Sequence, residues 1–333
     1  MPRKQWDACR ATVAGILCTS ALGLTGCGTF SPARIEMQPV ERRDLSRDQL
    51  LAMLDGQSKL LRFSATTRVS ILEEGSVIPA TVMDALRKEH GKPYQKRFTE
   101  ADVNGSFFLS RDAQGHVNVS MSGEVQGING VGFTLLGKDR SFWMLIPTSQ
   151  EERDKAVTQG QSAPNGKVLY GTFEADTLRP KDRYSIRPQD FADLMLTGEA
   201  RLALNGQDIC YVEKWQDYYV MNFLRPDWPN HIYSKIWFDR QNLRVAIHQL
   251  FDSAGELVAE ARFKDYGRYP MAKDPKVRME IPVQVEFLWP RDRILMRALF
   301  ADVKLNDDIP AKRFDEKRFE GYPTELIEAP PAR

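Results

Sequence analysis

Apolar and polar positions change their period along the chain, and the change marks out its elements. Ser46 opens Ser-Arg-Asp-Gln, a capping-box pattern with Gln49 three residues on. Leu50, Leu51, Leu54 and Leu61 follow at near-helical spacing, which predicts an amphipathic helix over 46–61. From Phe63 the period becomes two. Phe63, Ala65, Thr67, Val69 and Ile71 alternate with Ser64, Thr66, Arg68 and Ser70. Val117, Val119 and Met121 alternate with His116, Asn118, Ser120 and Ser122, and Val283, Val285, Phe287 and Trp289 with Gln284 and Glu286. Such alternation marks strands with one buried and one wet face. About ten to twelve strands are predicted between 63 and 305, most of them antiparallel neighbours.

Turn chemistry agrees. Asn-Gly occurs at 104–105, 129–130, 165–166 and 205–206, and this dipeptide between strands predicts a hairpin. Asp112-Ala113-Gln114-Gly115, Asp239-Arg240-Gln241-Asn242 and Asp252-Ser253-Ala254-Gly255 are further turn candidates. Two shorter helices are predicted. One lies near 80–90, with Val82, Met83, Leu86 and His90. The other covers 188–197, where Pro188 suits a first turn and Phe191, Leu194 and Met195 form an apolar stripe. The stretch 150–165 is polar and reads as a loop, and the Pro-rich end 321–333 as a flexible tail.

A large antiparallel sheet must cover its apolar face, and few helices are available to do so. The predicted fold is therefore mainly β (α+β): a single, strongly curved antiparallel sheet, an incomplete barrel, with a few helices over its concave face. Such a shape encloses an apolar hollow. The side facing it comprises Val119, Met121, Phe133, Leu135, Met221, Phe223, Ile236, Phe238, Val245, Ile247, Val285 and Phe287. Taken singly each of these residues reads first as packed core; as a set, with few helices to fill the hollow, they also read as the lining of a cargo cavity.

The N-terminus adds a location. Arg3, Lys4 and Arg10 precede an uncharged run from Ala11 to Leu24, too short for the roughly 20 residues that span a bilayer. This is the pattern of a secretory signal. Leu24-Thr25-Gly26-Cys27 resembles the lipobox of bacterial lipoproteins. The resemblance implies a signal peptide over 1–26, lipidation of Cys27 and a lipidated tether over 27–45. Gly28, where enteric bacteria place Asp to retain lipoproteins in the inner membrane, leans towards the outer membrane, facing the periplasm.

Charge is balanced, 46 basic against 45 acidic residues, so no electrostatic footprint for nucleic acid is present. Four cysteines are encoded; Cys9 and Cys18 lie in the signal, which leaves Cys210 as a single thiol unable to form an internal disulfide. Catalytic chemistry finds no support. The four histidines lack zinc-peptidase spacing, and His116 and His248 fall on predicted wet faces. No Gly-x-Ser-x-Gly elbow is present, and Gly160 to Gly166-Lys167 departs from a P-loop in its spacing and in Val168. Cys210 reads as a buried, inert strand residue. Asp176, Asp182, Asp190 and Asp193, interleaved with Arg179, Lys181, Arg183 and Arg187, read as a solvated face. Trp215, Tyr218, Tyr219, Trp228, Tyr233 and Trp237 suit cross-strand aromatic pairs better than a carbohydrate platform. No enzyme activity, cofactor or metal is expected.

Several local patterns occur in a familiar order. These are Phe142-Trp143 with Ile146-Pro147; Tyr184-Ser185-Ile186-Arg187-Pro188 before an apolar helix; Trp237-Phe238-Asp239 with Leu243-Arg244-Val245; and Leu305-Asn306 with Ile309-Pro310 and Phe314. In this order the chain resembles the LolA/LolB-like superfamily of lipoprotein carriers. That resemblance implies a half-barrel domain over 46–320 with a helical lid and a hydrophobic cavity for lipid or the acyl chains of lipoproteins. The segments near 75–100 and 150–165 have no counterpart in it. The competing expectation is a structural lipoprotein that docks another envelope protein and carries no cargo.

Overall fold

The computed structural model describes residues 44–73, 99–111, 116–125, 132–138, 141–148, 155, 158–159, 166–172, 187–197, 209–225, 232–291 and 293–326. The chain divides into two units, Met1–Glu41 and Arg42–Arg333, and all described residues belong to the second. The helix expected near 80–90 and the turns at 129–130 and 205–206 lie outside the described residues.

Helix α1 (Arg47–Ser58) starts where the sequence places it. Gln49 N–H donates to Ser46 Oγ and Ser46 N–H donates to Gln49 Oε1, which satisfies two of the donors orphaned at a helix start. Its buried face is Leu50 and Leu54. Thirteen strands follow between 62 and 305. They are β1 (Arg62–Glu73), β2 (Thr99–Arg111), β3 (Val117–Val125), β4 (Gly132–Lys138), β5 (Ser141–Pro147), β6 (Gly166–Thr172), β7 (Ile209–Lys214), β8 (Tyr218–Leu224), β9 (Ile232–Asp239), β10 (Val245–Phe251), β11 (Leu257–Met271), β12 (Asp274–Trp289) and β13 (Ile294–Leu305). Helix α2 (Pro188–Met195) falls between β6 and β7, and β14 (Thr324–Leu326) comes last.

All fourteen strands join one sheet in the order β14-β6-β5-β4-β3-β2-β1-β13-β12-β11-β10-β9-β8-β7. Chain neighbours pair antiparallel within β1–β6 and within β7–β13, and β1 against β13 joins the two halves. Strands β14 and β7 end the order, so the sheet is not closed into a barrel. The fold is thus mainly β, with two α-helices among the described residues.

Three expectations are corrected by the pairing. Asn104-Gly105 is no turn; it lies inside β2, with Gly105 opposite Gly123 of β3. A Cβ on Gly105 would stand 2.0 Å from the Ser122 carbonyl oxygen. The glycine is there because two strands approach closely, the alternative use of Gly in a strand. Secondly, β10 carries a bulge: Val245 pairs with Phe238 and Ile247 with Trp237. An extra residue reverses the alternation beyond it. Ile247 consequently sits beside half-buried Trp237, while His248, expected on a wet face, is 1% exposed. Thirdly, residues 321–326, expected in the flexible tail, extend the sheet: β14 pairs in parallel with β6, and Val168 N–H donates to the Pro323 carbonyl. Phe319, Phe314 and Tyr322 pack there with Leu136 and Val168 as a second, small core, and Ser120 on the nominally wet face of β3 becomes buried.

The turns at 239–242 and 252–255 are present. Asp239 Oδ1 accepts from Gln241 N–H, Asp252 Oδ1 accepts from Ala254 and Glu256 N–H, and Gly255 takes the left-handed φ of 80°. Opposite 112–115, Arg111 pairs with Val117 in the β2–β3 ladder.

Candidate functional site: the apolar interior

One continuous core runs under most of the sheet and includes both helices. Of the residues expected on the interior side, Val119, Met121, Leu135, Met221, Phe223, Ile236, Phe238, Val245, Val285 and Phe287 are all buried within it. Phe133 packs against it half-buried. Ile247 is half-buried on the far side of the bulge.

The densest part gathers around α2. Phe191 meets Phe287 at 4.9 Å, Trp289 at 5.2 Å and Phe107 at 6.4 Å between ring centres, all edge to face, the geometry that aligns ring quadrupoles favourably. Phe107 continues to Phe300 at 5.7 Å and Phe63 at 5.8 Å. Helix α2 forms because Pro188 presets φ at the first turn and Phe191, Ala192 and Leu194 give one buried face.

Two polar contacts fix this short helix to the sheet. Asp190 is fully buried. Its carboxylate accepts from Arg187 Nε at 3.1 Å and Nη2 at 2.9 Å, and from Trp289 Nε1 at 3.0 Å. The carboxylate raises the Arg187 pKa and keeps the guanidinium charged. The expectation that Asp190 is solvated is therefore wrong; the Arg187/Asp190 spacing of three is the sequence signal for the pair. At the other end of α2, His248 Nδ1 lies 3.0 Å from the Leu194 carbonyl oxygen, which can only accept. The proton is thus on Nδ1, and Nε2 accepts from Ser234 Oγ at 2.9 Å. Burial pulls the imidazole down to about 4, so it is neutral at pH 7. No apolar periodicity announces this histidine, because the bulge that turns it inward is invisible in the hydrophobic pattern.

Asp193, half-buried, accepts from Gln189 Nε2 at 2.9 Å; burial pushes its carboxyl up to about 6. Thr197 Oγ1 donates to Gln57 Oε1 and so ties the C-terminal ends of the two helices. Between those ends and β11–β12 lies a cleft of about 30 Å³, lined by Leu60, Met195, Leu196, Phe263, Tyr266, Met279 and Ile281 among others. That volume holds one or two waters and no acyl chain. Cys210, in edge strand β7, is buried with its thiol pushed up to about 11, which disfavours the nucleophilic thiolate. His116 is exposed. Asp176, Arg179, Lys181, Asp182 and Arg183 lie outside the described residues, as does Cys27. Among the described residues no His/Cys/Asp/Glu cluster could hold a metal ion, and no helix is long and apolar enough to cross a membrane.

No protein-family model and no curated protein matches the chain. It is similar to a DUF1329 family protein from Desulfovibrio piger, with 10% identity and a TM-score of 0.46 over 82% of this chain and 97% of that one. It is also similar to a LolA superfamily protein from Nitrosomonas europaea, with 12% identity and a TM-score of 0.42 over 83% of this chain and 100% of that one. An outer membrane lipoprotein-sorting protein domain from Vibrio parahaemolyticus aligns at 12% identity and a TM-score of 0.41, over 81% of this chain and 97% of that one.

Proposed function

We propose that this chain is a cell-envelope lipoprotein, anchored through acyl groups on Cys27, that takes lipid or the acyl chains of lipoproteins into its apolar interior without catalysis. On this reading residues 1–26 are the signal peptide, 27–45 the tether, and the sheet is a curved half-barrel with its helices as a lid, on the periplasmic side of the outer membrane. The observation that carries it is α2: eight residues, mounted on an aromatic floor and held to the sheet by the Asp190–Trp289 and Leu194–His248 hydrogen bonds. Cargo would enter by exchange with α2, whose Phe191 fills the described interior against Phe107, Phe287 and Trp289. A buried apolar side chain is worth about 1.5–3 kcal/mol, so lifting Phe191, Leu194 and Leu196 costs roughly 5–9 kcal/mol. A chain of about 14 carbons gains on the order of 10 kcal/mol at about 0.8 per methylene. Breaking the Asp190–Trp289 and Leu194–His248 hydrogen bonds adds about 1–3 kcal/mol each, so cost and gain are of the same order, which suits a site that must release what it takes up.

The packed interior and the cleft of about 30 Å³ favour the second reading, a scaffold that docks an envelope protein and holds no cargo. Mass spectrometry of organic extracts from the purified protein separates the two: acyl lipid in stoichiometric amount supports cargo, and its absence supports docking. The anchor is tested independently by Cys27→Ser, which leaves an unprocessed precursor without incorporated fatty acid; normal cleavage of that variant would refute it.

A further inference from the structure

The β11–β12 hairpin continues past its ladders with β10 and β13. Strand β11 pairs with β10 only as far as Arg262, and β12 pairs with β13 only from Gln284. Between Lys264 and Gln284 the two strands pair with each other, apart from one bridge of Met271 to Leu305. Asp265, in the left-handed region at φ 51°, marks where β11 leaves its neighbour. The base of this arm is clamped: Glu280 accepts from Arg244 Nε at 2.8 Å and from Arg268 Nε at 2.8 Å, and the two hold its carboxyl down to about 2. Beyond that clamp the hairpin stays tied to the end of β13, with Ala272 N–H donating to the Leu305 carbonyl oxygen at 2.9 Å, and residues 272–278 form its tip.

Its tip has an unusual surface. Ala272 to Arg278 are all exposed, Val277 by 49%. Lys273, Lys276 and Arg278 pair with no carboxylate among the described residues, and the acids nearby are engaged: Asp274 accepts from Lys276 N–H, and Glu280 serves the clamp. Three cations thus surround an exposed apolar residue, with the Asp274 carboxylate the one negative charge among residues 272–278.

The chain also enters the domain at this end. Asp44 is paired to Lys214 Nζ at 2.6 Å, and Leu45 N–H donates to Tyr219 Oη, beside the β7–β8 turn. Arg240 of the next turn bonds the Trp215 carbonyl oxygen, and Arg244 of that same turn reaches Glu280.

We propose that the β11–β12 tip docks on a phospholipid bilayer carrying anionic headgroups, with Lys273, Lys276 and Arg278 at the headgroups and Val277 in the interface. This rests on the reading of an envelope lipoprotein and adds the face it turns to the membrane. A cation near an anionic surface gains about fivefold in partitioning, so three cations less the one carboxylate of Asp274 bias the docked state on the order of 25-fold.

The test places an NBD fluorophore on Val277→Cys in the otherwise intact chain, mixed into vesicles of phosphatidylcholine with or without phosphatidylglycerol. Intact mass scores acylation separately, and an unacylated chain added to the same vesicles still reports the arm, so failure of the anchor and failure of the docking are distinguishable. The expected result is a blue-shifted rise in emission with phosphatidylglycerol that is removed by about 0.5 M salt. The K273Q/K276Q/R278Q variant loses it while keeping the wild-type melting curve. Emission unchanged from buffer in every vesicle overturns the proposal. So does a shift produced by envelope protein extract and not by lipid, which would assign the tip to an acidic protein.

Discussion

His248 shows how much one side chain is asked to do here. It is neutral, buried and bonded on both ring nitrogens, and one of those bonds holds the last turn of α2. Its folded pKa of about 4 lies below the unfolded value of 6.5, so the unfolded chain binds the proton first as pH falls. The stability that neutral His248 contributes is complete above about pH 7 and is lost between pH 6.5 and 4. Set against His248→Asn, whose amide can still reach the Leu194 carbonyl oxygen, the wild type should lose about 3 kcal/mol of relative stability over that window. Urea unfolding of both proteins from pH 7 to pH 4 measures this. Asp193 acts in the opposite sense, since its carboxyl is raised to about 6 and the folded state takes up that proton, but its effect is common to both proteins and cancels. A gap between the two proteins that stays constant with pH would remove His248 from the account.

At the scale of elements, β2 and β3 approach closely at Gly105 and Gly123. Gly105→Ala should cost more than about 2 kcal/mol, because its Cβ collides with backbone and cannot be relieved by a side-chain rotation. Denaturant melts measure it, and a loss under about 0.5 kcal/mol would mean that β2 and β3 separate without penalty. Much at this scale was legible in the sequence. The capping box set the start of α1 to the residue, period-two alternation located β1, β3 and β12, and Asp239 and Asp252 marked real turns. Asn104-Gly105 misled because the dipeptide serves two needs, positive φ and close approach, and only the opposing glycine tells them apart. The β10 bulge misplaced both Ile247 and His248, since one extra residue reverses a pattern without changing its composition. The Asp190–Trp289 contact joins residues 99 positions apart, which no local pattern encodes. The outer cover formed by Phe319 and Tyr322 was missed for the same reason.

For the whole molecule the question is whether the interior is a core or a site. Ten of the twelve residues expected on the interior side are buried in one cluster with α1 and α2, as both readings require. What separates them is energetic: a cargo protein keeps the exchange of α2 for an acyl chain near balance, whereas a scaffold does not open. Phe191→Ala removes the ring that three aromatics enclose, reduces what cargo must displace, and should tighten acyl binding by about tenfold or more. The most direct measurement is titration of the wild-type protein with a fluorescent fatty acid, followed by displacement with palmitate. Saturable, displaceable binding, strengthened in Phe191→Ala, is the predicted result. No saturable binding by the wild-type protein, with its fold intact by circular dichroism, would contradict the account.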